Sequence, residues 1–339
     1  MDYWAYGLGI SSNVEIPLLG DPRASAICDM TFRMGQAPDW VTEGTAPPGE
    51  IIYSPSLPQQ ADSKLTIASF LSGKFLELRY EDGTRFVMGG DATRIWAEEG
   101  AGLSRADVFT YLVGPVMGFA LQRRKKMALH ASSVVVGDRA IAICGEAGSG
   151  KSTTAAALAL RGNPALCEDI CALQDLQGHK CVLPGYPRIS LWPDSVSHLF
   201  ASADTLPLIV EGWDKRYLSL DGNLASFAQQ PTLLCAIYLL EPRSSDLAAP
   251  FIEPLSRRQA VLALVQNTYM NYLLTKEQRA AEFYAIANLV SEVDCYRVTP
   301  NADPSRIADL ASLIESHAAN VISGRESSTA HAARTHVQP

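Results

Sequence analysis

The amino-acid sequence predicts an α/β protein with two parts, an N-terminal β-rich domain and a larger domain in which strands and helices alternate. Three observations support this prediction. The first hundred residues contain strand-like runs separated by turn residues, and the chain after residue 166 alternates strand-like and helix-like runs. Between them, a glycine-rich segment joins a strand-like run to a helix-like one. We place the two domains at 1–103 and 104–322, followed by a polar tail, 323–339, whose composition indicates disorder.

The composition limits the class of protein. The chain has 339 residues, 47% hydrophobic and 19% charged, as expected for globular domains. Its formal net charge of −8 argues against a nucleic-acid partner, because affinity for phosphate backbones comes from Lys and Arg. Seven cysteines without paired metal-ligand spacing, and a start that lacks a basic and then apolar segment, favour a cytoplasmic protein with reduced thiols. The longest apolar run, 111–121, is about half the roughly 20 residues that a bilayer requires, so we expect no membrane association.

The N-terminal part contains a predicted β-hairpin. The runs KFLELRY and TRFVMGG flank the turn residues Asp82 and Gly83. Two further runs, DYWAYGLGISSNVEI and SKLTIASF, are also typical of strands. None of these segments has the spacing of a catalytic group. We therefore interpret this part as an accessory domain with a structural or a recognition role.

A helical pattern begins after Ser104, a typical N-cap residue. Pro115 is expected to break or kink that helix. Two strand-like runs follow, and Gly137 and Asp138 between them are a hairpin signal. The second strand of this hairpin leads directly into the glycine-rich segment.

The glycine-rich segment, CGEAGSGKST, matches the pattern G-x-x-x-x-G-K-[S/T] from Gly145 to Ser152. In a strand–loop–helix context its backbone amides wrap phosphates, its lysine reaches the outer phosphates and its hydroxyl can bind Mg²⁺. The preceding run RAIAIC and the following Ala- and Leu-rich run, which stops at Gly162, provide that context. A glycine-rich turn before a buried helix is the alternative. The predicted residues for binding ATP are Gly145, Glu146, Ala147, Gly148, Ser149, Gly150, Lys151, Ser152 and Thr153.

Two adjacent acids, Glu168 and Asp169, follow in the otherwise apolar run ALCEDICAL. Burying carboxylates costs several kcal/mol unless a cation or hydrogen bonds compensate. A strand adjacent to the loop strand would bring this pair beside the phosphates. We assign Asp169 mainly to the metal and Glu168 to the metal or to the role of base, and the reverse order stays open. An exposed strand end is the alternative.

Other candidates are one histidine and three cations. His130 lies on the strand predicted to pair with the loop strand, so it is expected close to the phosphates, although a lone strand histidine is often only structural. Arg188, Lys215 and Arg216 lie in loop-like segments with aromatic neighbours. Phosphoryl transfer concentrates negative charge that such cations neutralise. Surface arginines are common, however, so each of them is weak evidence alone.

The stretch LHASSVVVGDRAIAICGEAGSGKSTTAAALALRGNPALCEDICAL resembles the catalytic domain of the HPr kinase/phosphorylase family. In that family a strand histidine, a hairpin, a phosphate loop, a helix ending in Arg-Gly and an acidic pair recur in this order. The resemblance implies an ATP- and Mg²⁺-dependent kinase with His130 in its catalytic site. Thr153 and Glu168 stand where the bacterial regulators usually have Glu and Asp, which makes reverse phosphorolysis unexpected.

The N-terminal YWAYGLGISSNVEIPLL, the segments PRISLWPD and KRYLSL, and the C-terminal helices look like HPr-kinase-related proteins of lasso-peptide clusters. Such proteins phosphorylate a hydroxyl, typically that of the C-terminal Ser of a precursor peptide. The resemblance implies a peptide serine kinase and is compatible with a homo-oligomer. A kinase of a small carrier protein, and an ATP-binding module that transfers nothing, are the alternatives. Together, the residues and the resemblance predict His130, Lys151, Glu168, Asp169, Arg188 and Arg216 as catalytic residues and Ser152, Asp169 and Glu168 as metal ligands.

Overall fold

The computed structural model describes residues 1–22, 27–54 and 65–335, with the backbone alone over 325–335. The protein is mixed α/β and divides into two compact units, Met1–Lys126 and Met127–Pro339. This division falls after Lys126, whereas the sequence pattern predicts a boundary after residue 103. The physical reason is that the helical segment in between is bound to the first unit. The Tyr6 hydroxyl donates to the carbonyl of Val113 over 2.9 Å, and the Tyr111 hydroxyl donates to Asp82 over 2.6 Å.

The first unit is built on an eight-stranded sheet. Its strands are Asp2–Ala5 (β1), Leu8–Ser12 (β2), Met30–Met34 (β3), Glu50–Tyr53 (β4), Leu65–Phe70 (β5), Phe75–Tyr80 (β6), Arg85–Gly89 (β7) and Arg94–Glu98 (β8). Their order across the sheet is β1-β2-β3-β8-β7-β6-β5-β4. β3 runs parallel to both of its neighbours, and the other pairs are antiparallel. The predicted hairpin around Asp82 and Gly83 is confirmed as β6–β7.

The helices of the first unit are Asp39–Gly44 (α1), Arg105–Tyr111 (α2) and Met117–Arg123 (α3). Ser104 is the N-cap of α2, as predicted, and its backbone N–H donates to Asp107 over 2.9 Å. A π-helical turn, Leu112–Val116, separates α2 from α3, and its Gly114 has non-helical angles. Pro115 lies in this turn, so the expected interruption of the helix is confirmed.

The second unit contains a sheet of mixed orientation and a separate ribbon. The sheet strands are Ala128–Val136 (β9), Arg139–Gly145 (β10), Ala165–Cys167 (β11), Ile170–Leu176 (β12), His179–Val182 (β13), Thr232–Leu240 (β16), Phe251–Pro254 (β17) and Asp294–Thr299 (β18). The ribbon is Arg188–Leu191 (β14) with Arg216–Ser219 (β15). The sheet order is β10-β9-β12-β13-β16-β18-β17, β11 pairs with β9, and β16 also pairs with β10. The predicted hairpin at Gly137 and Asp138 is confirmed as β9–β10.

The helices of the second unit are Lys151–Leu160 (α4), Pro193–Phe200 (α5), Arg257–Gln266 (α6), Lys276–Glu292 (α7) and Ile307–Thr335 (α8). The run SRRQAVLALVQNTYMNYLL, 256–274, is helix-like over its whole length in the sequence. In the structure α6 ends at Gln266, because Asn267 caps it and Met270 has a left-handed φ of 51°. α8 extends into the tail 323–339, whose last four residues lie outside the described part of the chain.

Helices cover both faces of this sheet. Ile141 and Ile143 of β10 pack in one buried cluster with Leu158 of α4 and Ile314 of α8. The alternate residues of β10 pack in a second cluster that contains Leu264 of α6 and residues of α7. This alternation along one strand is what a sheet covered on both faces requires. The C-terminal end of β10 is thereby held in a fixed position.

All seven cysteines lie within the described ranges and are not joined in disulfides, and Cys144, Cys167, Cys171 and Cys235, which lie in apolar runs of the sequence, are buried. No helix among the described residues has both the length and the apolar character that a membrane crossing needs.

Truncation of Leu158 tests the packing of α4. The Leu158 side chain is fully buried, so we expect Leu158→Ala to reduce the free energy of unfolding by about 2–5 kcal/mol through lost burial and a residual cavity. Leu262, which is 59% exposed on α6, is the matched control, and Leu262→Ala should change stability by less than about 0.5 kcal/mol. Urea denaturation measures both variants. Equal effects would contradict the packing described for α4.

Candidate functional site

The glycine-rich loop connects β10 to α4, so the predicted strand–loop–helix order is observed. Gly145, Gly148 and Gly150 have φ values of 148°, 79° and 102°, a region that residues with a Cβ rarely adopt. A Cβ at Gly145 would also lie 2.9 Å from the carbonyl oxygen of Leu240. The loop conformation therefore depends on glycine at these positions.

Lys151 spans the loop. Its Nζ donates to the carbonyl oxygens of Gly145 over 2.9 Å and Glu146 over 3.0 Å. Burial lowers the pKa of Lys151, and the charges of Asp169 and Glu168 partly oppose this effect. The first residue of α4 thus places a cation inside the loop, near the acid pair.

Glu168 lies beside the start of α4. The Ser152 hydroxyl donates to Glu168 Oε1 over 2.8 Å, and Glu168 is only 6% exposed. Burial and the neighbouring charge of Asp169 raise the pKa of Glu168 to about 7, although Lys215 and the Ser152 hydroxyl act in the opposite direction. This carboxyl group therefore changes its charge near neutral pH.

Asp169 is held by two aromatic residues. His130 Nε2 donates to Asp169 Oδ1 over 3.1 Å, and the Tyr269 hydroxyl donates to Oδ2 over 3.2 Å. Burial acts to raise the pKa of Asp169, but the hydrogen bond and charge of His130, with Lys215 and Tyr269, hold the pKa below its ordinary value. Asp169 is 40% exposed, so an ionised carboxylate is accessible beside the loop.

The backbone around Asp169 explains this position. Asp169 separates β11 from β12 and has a φ of 66°, which is uncommon for a residue with a side chain. His130 of β9 is paired with Ile170 of β12, which brings the histidine next to Asp169. Both β11 and β12 pair with β9, one strand away from β10. The expectation that the acidic strand adjoins the loop strand is therefore wrong in detail, although the acid pair does reach the loop.

The candidate cations separate into two groups. The charge of Lys215 acts on both Glu168 and Asp169, and its Nζ lies 5.0 Å from the centre of the Trp192 ring. Arg188 stacks over Tyr217 at 4.0 Å. Arg216 instead donates to the carbonyl of Leu206 over 3.1 Å and to Asp204 over 2.7 Å. The charge of Lys215 thus acts on the acid pair, whereas Arg216 is engaged by Leu206 and Asp204.

Asn267 and Tyr269 were missed by the sequence analysis. Asn267 Oδ1 accepts from the backbone N–H of Gly145 over 2.9 Å, and the Asn267 carbonyl accepts from the backbone N–H of His130 over 2.7 Å. Both residues lay in a run interpreted as continuous helix, which concealed them. An Asn just after the last residue of the helical pattern is a helix-end signal that could have identified the end of α6.

The oxygen atoms of the site suit a hard cation. Among the described residues, no group of three or more His, Cys, Asp and Glu is arranged to hold a metal ion alone. The Ser152 hydroxyl and Glu168, with the adjacent Asp169, bring side-chain oxygen atoms together near the start of α4. Mg²⁺ is commonly bound through one or two carboxylates together with substrate phosphates, so these residues fit a cation that a nucleotide helps to bind.

The comparisons with known proteins find similar solved structures. No family model matches the chain, and no curated protein matches it. The similar solved structures include the HPr(Ser) kinase/phosphatase from Coxiella burnetii, at 15% sequence identity and a TM-score of 0.34. The likeness covers 61% of this chain and 98% of that chain.

The raised pKa of Glu168 predicts a pH-dependent stability. Between its ordinary pKa of 4.5 and about 7, the folded protein retains a proton on Glu168 that the unfolded chain releases, so this contribution to stability is lost as the pH rises. Gln does not ionise. As the pH rises from 5 to 8, we therefore expect the free energy of unfolding of Glu168→Gln to increase by about 3 kcal/mol relative to that of the native chain.

Urea denaturation in the presence of EDTA measures this difference. Glu211 is exposed, so Glu211→Gln is the control and should follow the native pH dependence. A stability difference between Glu168→Gln and the native chain that stays constant across the pH range would contradict the account of Glu168.

Proposed function

We propose that the protein is an ATP- and Mg²⁺-dependent kinase that transfers the γ-phosphoryl group to a serine hydroxyl. The observation that supports this proposal is the single cluster at the start of α4. In this cluster the Ser152 hydroxyl donates a hydrogen bond to Glu168, and His130 donates one to the adjacent Asp169. A phosphate loop, a cation-binding oxygen set and an ionised carboxylate near a histidine are the parts that phosphoryl transfer requires.

The loop residues bind the phosphates of ATP in this proposal. The backbone amides of 145–150 and the N-terminus of α4 face the phosphate chain, and Lys151 exchanges its carbonyl partners for phosphate oxygens. Ser152 and Glu168 are the residues that would hold Mg²⁺. When bound, Mg²⁺ neutralises charge on the β- and γ-phosphates. Lys215, whose charge acts on the acid pair, adds positive charge on the same side.

The two carboxylates differ in ways that favour different roles. Glu168 is buried and bonded to Ser152, which favours the metal role. Asp169 is partly exposed and its pKa is lowered, so it is ionised at neutral pH and able to accept a proton. As the serine oxygen bonds to the γ-phosphorus and the bond to the leaving ADP oxygen breaks, the hydroxyl proton moves to Asp169. His130 and Tyr269 hold that carboxylate in place.

The acceptor is proposed from the sequence resemblance. We propose the C-terminal Ser of a lasso precursor peptide, phosphorylated in the cytoplasm. If such a peptide is not the acceptor, the alternatives are a kinase that phosphorylates a small folded carrier protein and a module that binds ATP without transfer. An acceptor assay distinguishes them.

The acceptor assay uses the purified chain, Mg-ATP and two precursor peptides that differ only in a C-terminal Ser or Ala. We expect one added phosphate on the Ser peptide and none on the Ala peptide, read by intact and fragment masses. Lys151→Ala should reduce transfer at least about 100-fold, because Lys151 reaches the outer phosphates. Lys180 pairs with Asp175 on a neighbouring hairpin, so Lys180→Ala is the matched control with native activity. ATP binding without any added phosphate would contradict the proposal.

The proposed base makes a separate prediction. Asp169→Asn keeps the shape of the side chain but cannot accept the proton, so we expect the transfer rate to fall about 10²- to 10⁴-fold while ATP affinity changes little. Asp175→Asn, on β12 but outside the cluster, is the matched control. Single-turnover kinetics with labelled ATP separate the two effects. Native transfer by Asp169→Asn would exclude Asp169 as the base.

A further inference from the structure

A cavity of about 240 Å³ opens beside the loop in the second unit. Its walls come from the loop and α4, from α5, from the segment that leads into α8, and from Arg243, which lies shortly after β16. The acid pair, His130 and Ser152 are not among its lining residues. Its lining includes Thr153, Asp194, Ser195, Arg243, Asp303 and Leu310.

We propose that this cavity binds the base and ribose of the nucleotide whose phosphates the loop holds. The inference rests on the proposed function, and it assigns a nucleoside site that lies apart from the acid pair.

The direction of the phosphate chain supports a nucleoside site in this cavity. In this motif the lysine binds the outer phosphates and the hydroxyl binds their cation, roles that fall to Lys151 and Ser152. The Ser152 hydroxyl also donates a hydrogen bond to Glu168 of the acid pair. The inner end of the nucleotide must therefore leave the loop away from that pair. Thr153, the next residue, has its hydroxyl 2.8 Å from the Ser195 hydroxyl of α5, and both residues line the cavity. A phosphate chain that leaves the loop at Thr153 therefore places the attached nucleoside in the cavity.

The lining of the cavity is the second argument. Leu310, which is 4% exposed, and Ile307 provide apolar surface for a flat base, and Asp194 and Asp303 provide carboxylate oxygens. Ligand sites of this kind combine apolar walls with a few polar groups. The volume lies below the roughly 300–1,000 Å³ of drug-sized ligand pockets, so it suits a nucleoside better than an acceptor peptide.

Arg243 connects the cavity to the loop. Its Nη2 lies 3.7 Å from the position that a Cβ on Gly150 would occupy, and the side chain is exposed. A guanidinium at this point faces the inner part of a phosphate chain held by the loop. It also lines a second cavity, of about 430 Å³, at the tip of the loop. That second cavity is bounded by 145–149 and by Gln266 but not by Thr153, so it is the rival position for the nucleoside.

The test compares Mg-ATP with Mg-tripolyphosphate, which has the phosphates but no nucleoside, by isothermal titration calorimetry. We expect the native chain to bind Mg-ATP at least about tenfold more tightly. Ser195→Trp, which fills the cavity, should remove that advantage and leave the affinity for tripolyphosphate within about twofold. Gln266→Trp fills the rival cavity and Ser197→Trp lies on α5 outside the cavity lining, so both should keep native affinities.

Each contrary result has a distinct meaning. If the native chain binds neither Mg-ATP nor tripolyphosphate, the proposed function itself fails. If tripolyphosphate binds as tightly as Mg-ATP, or if Gln266→Trp rather than Ser195→Trp weakens Mg-ATP, only the nucleoside site is overturned. If Ser195→Trp does not fold, competition by adenosine on the native chain tests the same site. Adenosine should compete with Mg-ATP and not with tripolyphosphate, and competition with both or with neither overturns the site.

Discussion

The hydrogen bond between the Ser152 hydroxyl and Glu168 joins the first turn of α4 to the turn between β11 and β12. A buried carboxylate is costly unless polar groups or a cation compensate, so Glu168 is tied to the start of the helix that follows the loop. This bond fixes the position of Asp169, whose backbone is in the left-handed region. A strained residue next to a buried acid is typical of a site whose geometry serves a function rather than stability.

β9 assembles the remaining parts of the site. It pairs with β10, which leads into the loop, and with β11 and β12, which flank the acid pair. It also carries His130, whose backbone N–H donates to Asn267 at the end of α6. Because Asn267 also accepts from Gly145, the loop and the histidine are attached to the same helix end. A change in β9 therefore affects the loop, the acids and the histidine together.

Much of this arrangement could be predicted because its signals are local. The turn at Gly137 and Asp138 sets the β9–β10 pairing, and the loop pattern sets the start of α4. The end of α6 has a local signal, but the contacts of Asn267 with Gly145 and of Tyr269 with Asp169 could not be predicted, since they join residues about 100 or more positions apart through tertiary packing. Nor could the sequence choose between Lys215 and Arg216, because neighbouring side chains at the start of a strand point to opposite faces. The boundary between the two units was misplaced for a similar reason, since a helical pattern alone does not show which sheet the helices join.

The most direct test of the account is a crystal structure of the protein with Mg²⁺ and a non-hydrolysable ATP analogue. The account predicts that the phosphates lie along 145–152, with the outer phosphate nearest to Asp169 and His130 and with the cation contacting the Ser152 hydroxyl and Glu168. A nucleotide bound away from the loop, or bound with its outer phosphate pointing away from the acid pair, would contradict the proposal that this cluster transfers the phosphoryl group.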